Sequence, residues 1–479
     1  MMAAASEMPA KVNKHALIHG VVALALGSLL WLLPQPAGMQ IEGWHLLAIF
    51  IPTIYCIVTK PLPTGAVAFV SLTLCVVSRT ISLEHALEGF GYEVVWLVIF
   101  AFFIAKGFLI TPFGQRIAYT FVSLLGGSAL GLSYGLELSD VLLAPLIPSV
   151  SARVAGTVYP IVQSIARSFG SFPHEPSRRK IGEFLTLTTY QCAAVSSAMF
   201  LTAMAANPLL AELSRPYGIE LSWSDWALAA SLPGLVSLAM IPLVVLKLAP
   251  PELRSTPDAP RFAREKLRAM GPMGRHEWIM AGTMILLLGL WIAGTSINLS
   301  AVTATMIGLC ILILSGVLPW AALLKEVDAW ETFVWFSILL VMAKYLGVYG
   351  VPQWFSNLMT QQLRGVAWPL GVLALTLVYF YSHYFFASAT AHVSAMYAPF
   401  LVVLLGLGAP TMLVVFLLIF ASNLFGGLTH YSLSPGPLLY GVGYSDIRTF
   451  AKVGLACSVV NILIWGTLGL GWWKVLGYW

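Results

Sequence analysis

Of 479 residues, 59% are hydrophobic and 9% charged, with 25 basic and 20 acidic residues and a net charge of +5; a soluble chain of this length would carry on the order of 120 charged residues. That composition excludes an ordinary cytosolic enzyme, a disordered tail and a nucleic-acid binder, and it describes a polytopic membrane protein. The small positive excess reads as loop bias toward one side of a bilayer rather than as a polyanion-binding patch.

A spanning helix needs about 20 mostly apolar residues. In chain order such runs lie near 15–33, 44–59, 62–79, 94–110, 184–210, 226–247, 278–296, 300–318, 332–348, 411–439 and 453–473, giving about eleven transmembrane helices. No small-residue cleavage site follows the run His15 to Leu33, so it reads as a helix and not as a secretory signal. Two further stretches, 133–168 and 369–406, are too long for one helix, and each carries small hydroxyl residues near its middle. Both fit re-entrant hairpins, because non-helical backbone at membrane depth is tolerated only where it lines a cavity or packs on protein. The five cysteines lie in apolar runs without metal-ligand spacing, so they read as buried small hydrophobes, and no metal or cofactor is expected.

The most polar stretch, Lys247 to Glu277, carries seven basic residues against four acidic ones and is punctuated by Pro250, Pro251, Pro257, Pro260 and Pro272. The positive-inside rule puts it in the cytoplasm together with Arg178-Arg179-Lys180, Lys11 and Lys14, and puts the acidic loop Glu212 to Asp225 outside.

The chain repeats itself. Ser149-Val150-Ser151-Ala152-Arg153-Val154 and Ser388-Ala389-Thr390-Ala391-His392-Val393 both read Ser-x-(Ser/Thr)-Ala-basic-Val, at an offset of 388 − 149 = 239. Ala105-Lys106 and Ala343-Lys344 follow with 344 − 106 = 238. The predicted division is an N-terminal segment with the first transmembrane helix (1–40), a first repeat (41–247), a cytoplasmic linker (248–277) and a second repeat (278–479). Each repeat holds a hairpin (about 133–168 and 369–406) and a broken helix (about 184–210 and 411–439). Five crossings per repeat is an odd number, so the second copy inserts upside down. The predicted fold is therefore an all-α inverted repeat of the kind that secondary transporters use. In the broken helices, Ser197, Thr202, Asn207 and Pro208 interrupt one copy, and Gly426, Gly427, Thr429, His430, Ser434 and Pro435 the other. Pro removes a helix hydrogen bond and Gly tolerates unwound backbone.

These elements share one chemistry. Ser149, Ser151, Ser388, Thr390, Thr202, Thr429 and Asn207 offer donors, and no Asp or Glu lies in either tip or either break. Helix N-termini favour anions, and a dedicated cation or proton path usually shows a carboxylate. Arg153 and His392, in matching positions behind the tips and without an obvious acidic partner, suit a ligand with two negative charges. Lys106 and Lys344 read as snorkelling or packing residues. The serines lack a base–orienter pair and a Gly-x-Ser-x-Gly elbow, so no enzyme activity is expected.

The runs Leu143 to Arg153 and His383 to Val393, with Ser197 to Pro208 and Gly426 to Tyr431, resemble the motif regions of the divalent anion:sodium symporter family. Within it they look most like the dicarboxylate-exchanger branch, that of 2-oxoglutarate/malate translocators and citrate/succinate and tartrate/succinate antiporters. The resemblance implies a homodimer working as an elevator that exchanges di- and tricarboxylates, with sodium-coupled symport as the alternative. Carried onto this chain, it implies substrate contact at Ser149, Val150, Ser151, Ser388, Ala389 and Thr390, with Arg153 and His392 in place of bound sodium. It extends the candidate set to Ser197, Thr202, Asn207, Thr429, His430 and Ser434. Val150 departs from the family pattern, which has an amide there, and so removes up to two donors and an acceptor. A bacterial inner membrane is the expected location, with the lipid bilayer and carboxylate anions as partners.

Overall fold

The computed structural model describes residues 14–362 and 365–479, and these are helical throughout apart from turns, loops and one isolated bridge between Ser128 and Ser255. After α1 (Lys14–Leu32) come α2 (Ile41–Thr59), α3 (Thr64–Val77), α4 (Leu83–Leu87), α5 (Glu93–Ile110) and α6 (Phe113–Leu125). The first half continues with α7 (Ala129–Leu143), α8 (Tyr159–Ser168), α9 (Gly182–Met199), α10 (Ala206–Ser214) and α11 (Trp223–Leu248). Following α12 (Asp258–Ala269) are α13 (Arg275–Ala293), α14 (Ala301–Leu314), α15 (Trp320–Leu324), α16 (Val327–Val348) and α17 (Val351–Gln362). The chain ends with α18 (Trp368–Tyr381), α19 (Ala389–Gly406), α20 (Thr411–Leu424), α21 (Gly436–Gly441), α22 (Ile447–Ile464) and α23 (Leu470–Val475). The series α2 to α11 recurs in order as α13 to α22; α3 and α14 are offset by 301 − 64 = 237, and α7 and α18 by 368 − 129 = 239.

Among the described residues nine helices are long and apolar enough to cross a membrane, and Thr64–Val77, Ala301–Leu314 and Thr411–Gly427 are apolar but shorter. The nine include Ala129–Leu146 and Ala389–Gly406, which the sequence assigns to hairpin arms. α9 is in neither group. All 18 of its residues are buried, so its threonines and Gln191 never meet lipid and an apolar outer face is not required.

Five helices escaped the sequence reading: α4 and α15 are five residues long, and α6, α12 and α17 are not apolar throughout. α12 lies inside the stretch read as linker. Its Pro260 sits in the first turn, where a missing N–H costs nothing, so the proline starts a helix instead of breaking one. The expectation for the cysteines is also corrected: Cys75, Cys192 and Cys457 are buried, but Cys56 is half-buried and Cys310 exposed.

Among the described residues two compact units form, drawn from the stretches 1–92 with 331–358 and 93–330 with 359–479. In the first, α2 packs on α1 and α3, Gly43 comes so close to Tyr349 and Val351 that a Cβ there would meet them at 3.0–3.1 Å, and the Tyr349 hydroxyl donates to the Thr80 carbonyl at 2.8 Å. Lys344 pairs with Glu88 at 2.7 Å. In the second unit, α9 packs between α7, α11 and α20, and Lys106 pairs with Glu326 at 2.8 Å.

Both lysines are therefore ion-paired, which their reading as snorkelling or packing residues did not include. The pairs are also equivalent under the repeat, because 326 − 88 = 238 and 344 − 106 = 238. Each lysine takes the glutamate of the other copy, an exchange of partners that a two-fold relation produces.

The segment after α11 is tied to the basic loop that the charge rule puts on the same side: the Glu252 and Leu253 N–H groups donate to the Arg179 and Lys180 carbonyls, both at 3.0 Å. Arg116 on α6 binds Glu277 at the start of α13 at 2.7 Å. Lys11, expected beside Lys14, lies outside the described residues.

Candidate functional site

The first hairpin climbs α7, turns through a 3-10 segment at Ala144–Leu146, and returns as a π-helical arm, Ser151–Val158, that runs into α8. Pro145 and Pro148 remove N–H groups where the chain must leave the helix. Ser149 restarts it: its Oγ accepts from the Ala152 N–H at 3.2 Å and its carbonyl from the Arg153 N–H at 2.9 Å. This is a cap satisfying the first free donors of the arm. Ser149 and Ser151 are half-buried at the tip, whereas Val150 is buried and its side chain has no polar atom.

Arg153 is completely buried. Its Nε donates to Asp140 on the opposite arm at 2.7 Å. One terminal nitrogen reaches the Ile147 and Ala203 carbonyls at 3.0 and 2.9 Å, and the other the Ser196 and Ser197 hydroxyls at 3.1 and 3.0 Å. All five guanidinium donors are engaged. Asp140 also accepts from the Ser196 hydroxyl. The expectation that Arg153 lacks an acidic partner is thus corrected. The partner went unread because it lies 13 residues away and only the hairpin's return brings it close.

The first break follows the end of α9. A helix end leaves carbonyls without partners, and here side chains supply them. Asn207 Nδ2 donates to the Ser197 and Phe200 carbonyls at 2.8 and 3.0 Å, and Trp226 Nε1 to the Ala198 carbonyl at 2.8 Å. Thr202 donates to the Pro145 carbonyl and accepts from Trp223 Nε1 at 3.1 Å. Arg153, Ser197, Thr202 and Asn207 are therefore one buried cluster holding the first tip against the first break.

In the second hairpin α18 leads through Ser382–Phe385 to Ser388, whose Oγ caps α19 by accepting from the Ala391 N–H at 3.3 Å. Ala389 is buried and Thr390 half-buried. His392, one turn on, is buried with Nε2 3.0 Å from Ser382 Oγ. It lies among Tyr379, Phe386, Phe425 and His383. Tyr379 meets Ser422 at the end of α20, oxygen to oxygen at 2.6 Å. At the same places in the first half Asp140 meets Ser196: the repeat keeps the contact and changes its charge.

The second break runs from Phe425 to α21. Thr429 is buried, its Oγ1 2.6 Å from Ser432 Oγ, and Gln191 Nε2 donates to the Gly427 carbonyl at 2.9 Å. Tyr190 Oη lies 2.9 and 2.7 Å from the Gly426 and Thr429 carbonyls and accepts from the Leu433 N–H at 3.2 Å. Asn423 Nδ2 in turn donates to Asn207 Oδ1 at 2.9 Å. Each break is thus held from the other half. Two of the expected residues stand apart from this hydrogen-bonded set: His430 is half-buried against Tyr431 and Tyr440, and Ser434 is exposed. Tyr190, Gln191 and Asn423 were missed because in a sequence they are ordinary polar residues of apolar runs, and only the packing of α9 on α20 gives them a task.

Residues 14–479 match the profile of the family described as "Sodium:sulfate symporter transmembrane region". The chain is 46% identical over 477 residues to YflS of Bacillus subtilis (strain 168), a protein named for malate transport, covering 99% of this chain and 100% of that one. It is 46% identical over 462 residues to the chloroplastic dicarboxylate transporter 1 of Spinacia oleracea, with coverage of 96% and 81%. To the citrate/succinate antiporter of Escherichia coli (strain K12) it is 32% identical over 476 residues, with coverage of 95% and 97%. The crystal structure of the Alcanivorax borkumensis YdaH transporter shares its fold, with a TM-score of 0.59 over 97% of this chain and 99% of that one at 13% identity.

Proposed function

The chain belongs to the family described as "Sodium:sulfate symporter transmembrane region", and from that premise we propose that it is a secondary active antiporter exchanging di- and tricarboxylates of the 2-oxoglutarate, malate, succinate, fumarate and citrate class. It is an integral membrane transporter, not an enzyme. The supporting observation is the pair of serine-capped tips, Ser149 before Val150 and Ser151, and Ser388 before Ala389 and Thr390. Each offers hydroxyls and helix N-terminal N–H groups, and such ends attract carboxylates. The two capped positions, one per repeat, match a solute with a carboxylate at each end. Relatives named for malate, dicarboxylate and citrate/succinate transport point the same way.

In this reading Arg153 positions the first tip and does not touch substrate, since its donors are spent. The protein works as a homodimeric elevator with an inverted repeat, in a bacterial inner membrane. Sodium-coupled symport is the second reading, favoured by Asn423 Oδ1, a buried oxygen without a hydrogen-bond partner among the described residues. The deciding experiment uses proteoliposomes. Antiport predicts uptake of labelled succinate only into vesicles preloaded with a dicarboxylate, regardless of sodium. Uptake into empty vesicles driven by a sodium gradient would replace antiport with symport, and no uptake of any carboxylate would refute both.

A further inference from the structure

Two rings of the second hairpin carry lone pairs that nothing among the described residues uses. His383 Nε2 lies 3.0 Å from the Ser432 carbonyl; a carbonyl only accepts, so Nε2 carries the hydrogen. Ser382 donates its single hydrogen to the Tyr379 carbonyl at 2.8 Å, and therefore accepts from His392 Nε2 at 3.0 Å. In a neutral imidazole with Nε2–H, Nδ1 is a bare acceptor. Both Nδ1 atoms are buried and lack a hydrogen-bond partner among the described residues. The two ring centroids are 5.2 Å apart.

The surroundings do not compensate a charge on either ring. Tyr379 of α18 and Phe386 of the tip face His392. Phe425 after α20 stacks on His383 at 3.8 Å and meets His392 edge-on at 4.6 Å. Tyr379 is the one titratable neighbour in these contacts, and no Asp, Glu, Lys or Arg pairs with either ring among the described residues. Across the repeat, Arg153 is cancelled by Asp140. Glu137, buried on α7, adds no positive charge. The fixed charge of the cluster is thus zero at most, and a dianion entering a buried site needs a compensating cation.

We propose that the carboxylate substrate travels with a proton bound at Nδ1 of the His383–His392 pair. The proton is drawn from water on the entry side and turns a bare acceptor into a charged N–H donor. It returns to water on the far side when the substrate leaves, and no other bond forms or breaks. The inference rests on the carboxylate reading and deepens it: the charge that offsets the substrate is taken up and released with it.

Isothermal titration calorimetry of the purified full-length transporter with succinate, malate and citrate tests this, in phosphate and in Tris at one pH. Buffers of different ionisation enthalpy give different heats when protons are taken up, and the difference should correspond to roughly one proton per bound dianion, as for a histidine that becomes charged. His383→Gln and His392→Gln should lower that number toward zero. Should either variant misfold, the two-buffer comparison on the natural chain decides alone. Succinate binding with the same heat in both buffers would overturn the proposal and leave the carboxylate reading intact. No binding heat from any of the three acids would overturn that reading and this inference with it.

Discussion

Asp140 and Arg153 face each other across the two arms of the first hairpin at 2.7 Å, with the arginine fully buried and the aspartate 5% exposed. Breaking a buried pair strands a charge at a cost of about 3–5 kcal/mol, whereas removing both partners together costs less. Arg153→Ala and Asp140→Ala should each lower the melting temperature of the detergent-solubilised protein sharply and weaken exchange. The double variant should melt above either single one. A double variant whose loss equals the sum of the two would mean that the pair acts as two independent residues.

Asn207 should be more sensitive than Asn423, although they share a bond. Asn207→Ala strands the Ser197 and Phe200 carbonyls, at about 1–3 kcal/mol for each buried group left unsatisfied. Asn423→Ala removes the bond to Asn207 Oδ1 and one to the Ile419 carbonyl, and the latter already belongs to a helix ladder. Denaturation midpoints of the two variants give the comparison; an Asn423 variant that is the less stable of the two would reverse the ranking.

Ser149→Ala and Ser388→Ala should each cost about 0.5–2 kcal/mol through loss of a helix cap. If the tips contact substrate, each should also raise the half-saturating concentration for succinate counterflow by more than this stability loss accounts for. Restabilising the variants by lower temperature without recovering affinity would mark the hydroxyls as contacts; full recovery would leave them as caps alone.

The crossed lysine–glutamate pairs make a graded prediction. Lys106–Glu326 is 31% and 14% exposed and Lys344–Glu88 47% and 26%, and exposure weakens an ion pair. Glu326→Gln should therefore lower the melting temperature more than Glu88→Gln. Burial works to raise the Glu88 carboxyl, but Lys344 and the Tyr92 hydroxyl bound to it outweigh that and hold it below the usual glutamate range. A depressed carboxyl contributes stability that is present above its unfolded value and lost as pH falls through its folded value. The natural chain should then lose part of its stability in that acid window, and Glu88→Gln should lose less; identical pH profiles would count against the pairing.

Sequence periodicity located the long helices because lipid demands an unbroken apolar run of a set length, and the repeated Ser-x-(Ser/Thr)-Ala-basic-Val located both tips. It did not locate Asp140, Asn423, Tyr190 or Gln191. Their partners lie 13 to 243 residues away, and α9, which has no lipid-facing side, carries no amphipathic signal to read. Histidine chemistry failed for a different reason: which nitrogen is bare depends on the hydrogen bonds that the rings donate to Ser382 and Ser432, and these exist only after folding.

The exchanged lysine–glutamate partners also bear on ancestry. In two identical half-length chains related by a two-fold axis, one substitution would alter both contacts at once. In a single chain the two contacts are independent, and they differ: Lys344 lies over the Tyr92 and Tyr345 rings at 5.6 Å, while Lys106 pairs with a more enclosed glutamate. Symmetric contacts in such a duplicated carrier are thus a record in which divergence can be read pair by pair.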